Sequence, residues 1–217
     1  MSVNTARVLV RMFGDISSAI DAEKDRLTAL DGAIGDADHG ITMSLGFNAV
    51  TMDLASMDLE QATGRAIFTR AATAFLNAVG ASTGPLYASA FLRAANVVEP
   101  GEGMTTAYQV RLIEALAVGI GERGKGQRGD KTMLDAWIPA MEAAINAEAC
   151  GLSSDQMWRK IIEAADAGAR ATASMIAARG RSARLGERSL GHIDPGAASA
   201  AIILHAMKRS FVNGEEG

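Results

Sequence analysis

The chain has one cysteine, Cys150, four prolines and only 5% aromatic residues in a length of 217. A single cysteine excludes an internal disulfide and fits a reducing cytosol. Few aromatic and β-branched residues, with no alternating apolar pattern and no hairpin turn signal, argue against a sheet. Lysine is also scarce, at 5 against 16 arginines, and the net charge is −4 with a pI near 5.4. That balance speaks against general nucleic-acid binding, and the arginine bias suits bidentate anion contacts. No long apolar run is present. The longest uncharged stretch, residues 71–92, holds Asn77, Gly80, Ser82, Thr83, Gly84 and Pro85 and does not read as a membrane span. Arg7 and Arg11 interrupt the N-terminal apolar stretch before it reaches signal-peptide length.

What is abundant is alanine, at 42 positions. Together with 48% hydrophobic and 21% charged residues, it predicts a packed helical domain covering residues 1–217, with no linker. Apolar periodicity and capping signals predict eight helices, near residues 5–30, 40–55, 58–79, 85–99, 105–121, 132–149, 153–180 and 195–211. Asp58 is the expected cap of the third, Pro85 the first residue of the fourth, and Ser153 with Gln156 the cap of the seventh. Pro139 is expected to bend the sixth.

The connections alternate in character. Those after the second, fourth and sixth helices (56–57, 99–104 and 151–152) are bland. Those after the first, third, fifth and seventh are rich in Gly, Asp, Ser and Arg. In an up-and-down antiparallel bundle alternate loops share one end, so four chemically loaded loops converge on a composite site. The plain structural reading of any one of them, a glycine-rich helix terminus, explains four in phase less well.

The first loop places Asp31, Asp36, Asp38 and His39 within nine residues. Hard oxygen ligands on a short loop suit Mg²⁺ or Ca²⁺, and a set of carboxylates is a poor zinc site. A calcium hand needs a glutamate at its twelfth position. Counting from Asp36 that position is Phe47, and from Asp31 it is Thr42. The second loop, from Gly80 through Ser82 and Thr83 to Pro85, offers small residues and hydroxyls at a helix N-terminus, where anions bind. It lacks the lysine of a P-loop. The third, residues 123–133, puts Arg123, Lys125, Arg128 and Lys131 among glycines, where they can face phosphate or form a solvated turn with Asp130 as a cap. The fourth, residues 179–195, carries Arg179, Arg181, Arg184 and Arg188 ahead of a helix opening Asp194-Pro195-Gly196. Arginines there can neutralise a transferring phosphoryl group. His205 reads as structural or surface, and Trp137 and Trp158 as core.

Four ordered stretches, Ile34-Gly-Asp-Ala-Asp-His-Gly40, Ser82-Thr-Gly-Pro-Leu-Tyr87, Gly129-Asp-Lys-Thr-Met133 and Leu185-Gly-Glu-Arg-Ser-Leu-Gly-His-Ile-Asp-Pro-Gly196, together resemble the dihydroxyacetone kinase family, and within it the nucleotide-binding L-subunit or Dak2-type domain. The resemblance covers essentially the whole chain. It implies an all-α fold, a closed antiparallel barrel of eight helices with the nucleotide at one end. It implies that Asp31, Asp36 and Asp38 hold a pair of Mg²⁺ ions. It assigns His39, Gly40, Ile41, Thr42, Ser82, Thr83, Gly124, Met133, Arg181, Asp194, Pro195 and Gly196 to the ADP or ATP site, with Arg181 also catalytic. The chain departs from the pattern in three places: Ala37 and Ala88 stand where glycine is usual, and the tripeptide Ala81-Ser82-Thr83 replaces Gly-Ala-Ser.

Eight helices fill the length and leave no room for the family's ketose-binding domain. The resemblance therefore implies one subunit of a split kinase that phosphorylates a small hydroxyketone held covalently by a partner. Further candidate partners are a phosphocarrier of the phosphotransferase system and a second copy of the chain. Two donor modes follow, exchangeable ATP or resident ADP rephosphorylated in place. A nucleotide-sensing regulatory subunit, a kinase component for another acceptor such as a tetrulose, and a fatty-acid kinase component are the alternatives.

Overall fold

The structure, a computed structural model, describes residues 3–80, 82–97 and 103–212. Its described residues form nine α-helices and no strand: α1 (Val3–Ala22), α2 (Lys24–Ile34), α3 (His39–Leu54), α4 (Gly64–Ala78), α5 (Thr83–Val97), α6 (Thr106–Gly124), α7 (Leu134–Ala149), α8 (Ser154–Ala171) and α9 (Pro195–Val212). Two 3-10 segments, Thr172–Ser174 and Ser182–Ser189, lie between α8 and α9. Apart from α2, each helix packs on its neighbours in sequence order, and α9 packs back on α1, closing a ring. The short α2 packs mainly on α3 and also touches α9.

All ten aromatic side chains are buried. Phe13, Phe47, Phe68, Phe75, Tyr87 and Phe91 fill one part of the ring in mostly edge-on pairs, such as Phe13–Phe91 at 5.4 Å and Phe47–Phe75 at 5.2 Å between centroids. Such pairs add about 0.5–1.5 kcal/mol beyond the area they bury. Elsewhere small residues let helices touch. A Cβ on Gly119 would stand 2.7 Å from the Cα of Ala90, and one on Gly168 only 1.9 Å from the carbonyl oxygen of Asp135. The alanine excess therefore serves close helix approach, and the few large rings supply the bulk.

Several expected boundaries shift. The first helix is broken at Glu23, whose φ of −104° and ψ of 5° leave the helical basin, so one predicted helix becomes α1 and α2. Asp58 caps only a turn, its carboxylate accepting from the Glu60 amide. Helix α4 starts six residues later, where the Thr63 hydroxyl accepts from the Ala66 amide. Helix α5 begins at Thr83, two residues before Pro85. Helix α8 ends at Ala171 instead of residue 180, because the chain tightens into 3-10 geometry with the Thr172 hydroxyl donating back to the Ala169 carbonyl. The Ser153–Gln156 capping box forms as the sequence predicts, and Thr105 caps α6 by accepting from the Tyr108 amide. Of the bland connection at 99–104, residues 99–102 lie outside the described residues, as does Ala81.

Candidate functional site

One cavity of about 430 Å³ opens at an end of the ring, and residues from all four Gly-, Asp- and Arg-rich loops line it. Alternate loops thus converge on one end of the ring, as their phase along the chain predicts. The bottom is built from the break between α2 and α3. Helix α2 presents Asp31 in its last turn, and Asp31 Oδ2 accepts from the amides of Asp38 (2.8 Å) and His39 (3.1 Å), the first donors of α3. Gly35 makes the approach feasible, since a Cβ there would stand 2.1 Å from Asp31 Oδ1. Ala37 turns the loop with φ of 60°, the left-handed angle that glycine tolerates and alanine does not favour.

The turn gathers Asp31, Asp36 and Asp38 so that one oxygen of each lies within 4.8 Å of the others. Three converging carboxylates repel one another. Burial, and then the charge of Asp31, push the Asp38 carboxyl above its usual range. Arg181 answers this charge: its guanidinium pairs with Asp36 and, at 3.4 Å, with Asp38. The donor set fits a hard divalent cation, being all oxygen, partly open and held by the backbone.

His39 lines the cavity but is buried, and its Nε2 lies 2.9 Å from Ser199 Oγ. Ser199 spends its hydroxyl hydrogen on the Gly196 carbonyl, which leaves Nε2 as the donor. Burial lowers the His39 pKa to about 4 in spite of Asp31, so the ring is neutral near pH 7. Asp194 accepts from the Ala197 amide at 2.7 Å and caps α9, with Pro195 as the first helical residue. It is enclosed, and burial raises its pKa to about 7, opposed by the Ala197 amide and Lys131.

Ser82 and Thr83 line the same cavity at the start of α5. Gly84 is tucked against Val79, where a Cβ would fall 2.0 Å from the carbonyl oxygen. The free amides of this helix terminus suit an anion. Ile34, Leu86, Ile120, Met133 and Leu134 supply the apolar part of the lining, with Leu86 beside Gly124, a surface of the kind that suits a flat ring.

Of the sequence-predicted residues, Asp31, Asp36, Asp38, His39, Ser82, Thr83, Gly124, Met133, Arg181, Asp194, Pro195 and Gly196 line this cavity together. Gly40, Ile41 and Thr42 do not. They form the next turn of α3, where Gly40 packs against α2, a Cβ there falling 2.1 Å from the Lys24 carbonyl oxygen, and Ile41 is exposed. The basic third loop faces the cavity only in part, through Arg123 and Lys131. Arg128 points outward to Glu142 (2.9 Å), Lys125 is exposed in a left-handed helix cap, and Lys131 is buried on backbone carbonyls. Of the four arginines in the fourth loop, only Arg179 and Arg181 line the cavity. His205 pairs with Asp166 at 3.2 Å, away from the cavity lining, and Trp137 and Trp158 are core.

Sequence reasoning missed Asp135 and Ser199. Asp135 shapes the third loop, accepting from the amides of Gly129 (2.6 Å) and Thr132 (2.8 Å). An aspartate in the first turn of α7, after a glycine-rich stretch, was the available signal. Nothing in the sequence singles out Ser199 on an alanine-rich helix.

Comparison with known proteins supplies a family. The chain is 36% identical to the ADP-binding subunit DhaL of PEP-dependent dihydroxyacetone kinase 1 from Listeria innocua, over 94% of this chain and 96% of that protein. It is 36% identical to the ADP-binding subunit DhaL of the Escherichia coli K12 PEP-dependent dihydroxyacetone kinase, over 89% and 90% respectively. The fold is that of the dihydroxyacetone kinase of C. freundii, with a TM-score of 0.73 at 23% identity; 94% of this chain matches 34% of that one, so the chain spans about a third of its length. The DAK2 domain model matches residues 33–209, from the turn below the carboxylates to the end of α9, and on that match the chain belongs to the DAK2 domain family.

Proposed function

We propose that the chain is the nucleotide-binding subunit of a split kinase for dihydroxyacetone or a related small hydroxyketone. It would hold ADP or ATP with Mg²⁺ and pass a phosphoryl group to a ketose carried by a partner subunit. The observation that carries this reading is the shared cavity, whose lining combines three carboxylates within 4.8 Å of one another, a helix N-terminus and apolar side chains. Cation, phosphates and base each have a matching surface there. The relatives named as ADP-binding subunits are matched over nearly their whole length, which supports a separate partner for the ketose.

Asp31, Asp36 and Asp38 would hold Mg²⁺, which supplies charge neutralisation at the phosphate oxygens. Ser82, Thr83 and the first amides of α5 bind and orient the phosphate chain, while Leu86, Gly124 and Met133 take the base. His39 is neutral and gives its Nε2 hydrogen to Ser199, so its other ring nitrogen can accept a hydrogen bond without adding charge. Arg181 is the cation placed to stabilise the transferring group. No protein nucleophile is required; positioning supplies the rate.

The relatives' PEP dependence favours resident ADP, rephosphorylated by a phosphocarrier, over exchange of ATP. The test combines the purified chain with a matching ketose-binding subunit, dihydroxyacetone and Mg²⁺. Turnover with PEP and the phosphocarrier proteins, and little with ATP alone, is expected. Turnover on ATP alone would overturn the resident-ADP mode, and no Mg-dependent nucleotide binding at all would overturn the site.

A further inference from the structure

The segment 172–194 brings Arg179 and Arg181 to the cavity, although it contains no α-helix. Two adjacent residues of the third loop tie it down. The Lys131 side chain runs inward and is 1% exposed, and Nζ donates to the carbonyls of Thr172 (2.7 Å), Ser189 (2.8 Å) and His192 (2.5 Å). An ammonium has three hydrogens, and all three are spent. Thr172 opens the segment, and Ser189 and His192 close it, so one cation draws both ends together. Beside it, the Asp130 carbonyl accepts from the Ala178 amide (3.1 Å) and the Asp130 carboxylate from Arg179 Nε (3.3 Å). Lys131 sits at φ of 59°, an unfavourable angle for a side-chain-bearing residue.

A lysine among glycines at a phosphate-sized cavity reads as a phosphate ligand. The geometry removes that role, because a phosphate oxygen would have to displace a backbone carbonyl and leave it buried without a donor. We propose that Lys131 is a positioning residue for Arg181: by clamping both ends of segment 172–194, it holds the Arg181 guanidinium over Asp36 and Asp38. This rests on the nucleotide-site reading given above.

The experiment measures Mg-ADP affinity by calorimetry for the wild type, Lys131→Met, Arg181→Ala and Ser82→Ala, and for Lys131→Met in each of the other two backgrounds. Amide exchange along 172–194 is followed in parallel. A misplaced Arg181 forfeits its charge-assisted hydrogen bonds to the nucleotide, which corresponds to roughly tenfold weaker binding. Lys131→Met should cause that loss in the wild type and in Ser82→Ala, and add less than about twofold in Arg181→Ala. Exchange should quicken within 172–194 and stay slow in α3 to α7. A full loss in the Arg181→Ala background would make Lys131 a direct ligand and overturn the proposal, as would unchanged affinity. Should Lys131→Met not fold, Asp130→Ala removes the neighbouring carboxylate tie to Arg179, keeps the backbone tie to Ala178, and leaves the carbonyls that Lys131 holds with their donor. It is expected to weaken binding in the same Arg181-dependent way, and an additive effect overturns the clamp. If the wild type binds no Mg-ADP, the site reading fails, and the exchange arm still decides the clamp: unchanged exchange in both variants sinks it.

Discussion

The carboxylate of Asp31, in the last turn of α2, accepts the amide hydrogen of Asp38 at 2.8 Å and so folds the acidic loop back on its own helix. Asp31 thereby has two tasks. Its Oδ2 accepts the amides that open α3, and the carboxylate is also a member of the three-carboxylate cluster. Gly35 makes both feasible, because a Cβ at that position would overlap Asp31 Oδ1. Gly35→Ala should therefore displace Asp31 and cost about 1–3 kcal/mol through the broken hydrogen bonds at a buried helix start. Chemical denaturation measures the loss, and calorimetry should show Mg-nucleotide binding weakened well beyond it. Wild-type affinity in a folded Gly35→Ala protein would contradict the packing described.

Ala37 holds a left-handed backbone angle one residue before Asp38. An alanine at this angle carries local backbone strain that a glycine would not. Ala37→Gly should stabilise the protein by about 1 kcal/mol by relieving that angle, less the entropy that glycine gains when unfolded. Mg-nucleotide affinity should hold within about twofold, given that the backbone path is unchanged. A lower melting temperature would show that the loop is not left-handed at this position.

These two residues show how far the sequence reached. The loops were legible because Gly, Asp and Pro mark turns for local reasons, and four in alternate connections had one geometric consequence. Asp31, Ser82, Met133 and Asp194, one from each loop, line one cavity. Lys131 was not legible. A lysine beside glycines has the same local pattern whether it faces phosphate or buries itself, and the carbonyls that capture it lie 41 to 61 residues away. Helix ends failed for a related reason. Thr63 and Asp58 both have capping side chains, and packing of α4 on α3 and α5, not local preference, decides between them. The break at Glu23 carries neither Gly nor Pro to announce it.

Asp194 gives a pH dependence with a definite sign. Its folded pKa, about 7, lies above the usual 3.8, so the native state holds this proton more tightly than the unfolded chain. Stability from this group is therefore greatest below the unfolded value. It declines as pH rises through the interval to about 7, and is flat above that. Asp194→Asn keeps an oxygen for the Ala197 amide and removes the buried charge. The variant should be more stable than the wild type at pH 8, by a few kcal/mol at most, and the advantage should fade towards pH 4. Denaturant titrations at the two pH values measure it. An advantage independent of pH would mean that the carboxyl is not the source.

Asp36 and Asp38 are about half exposed and face Arg181, so neither is needed for the helical ring itself. The one guanidinium of Arg181 offsets only part of the charge that they and Asp31 bring together, so a further cation suits the cavity. Asp36→Asn with Asp38→Asn removes two of the three charges that gather within 4.8 Å while keeping size and most hydrogen-bonding capacity. Helical content and cooperative melting should persist, with thermal stability changed little in either direction, because half-exposed charges are screened. Mg-dependent binding of ADP should fall at least about a hundredfold, as hard cations depend on anionic oxygen and amides replace it poorly. Magnesium-free binding, which relies on the α5 terminus and the apolar part of the lining, should change far less. The same affinity with and without Mg²⁺ in the wild type, or undiminished Mg-dependence in the double variant, would place the cation elsewhere. The contrast between the two titrations is the decisive measurement, because a general loosening of the cavity lowers both and loss of the cation lowers only one.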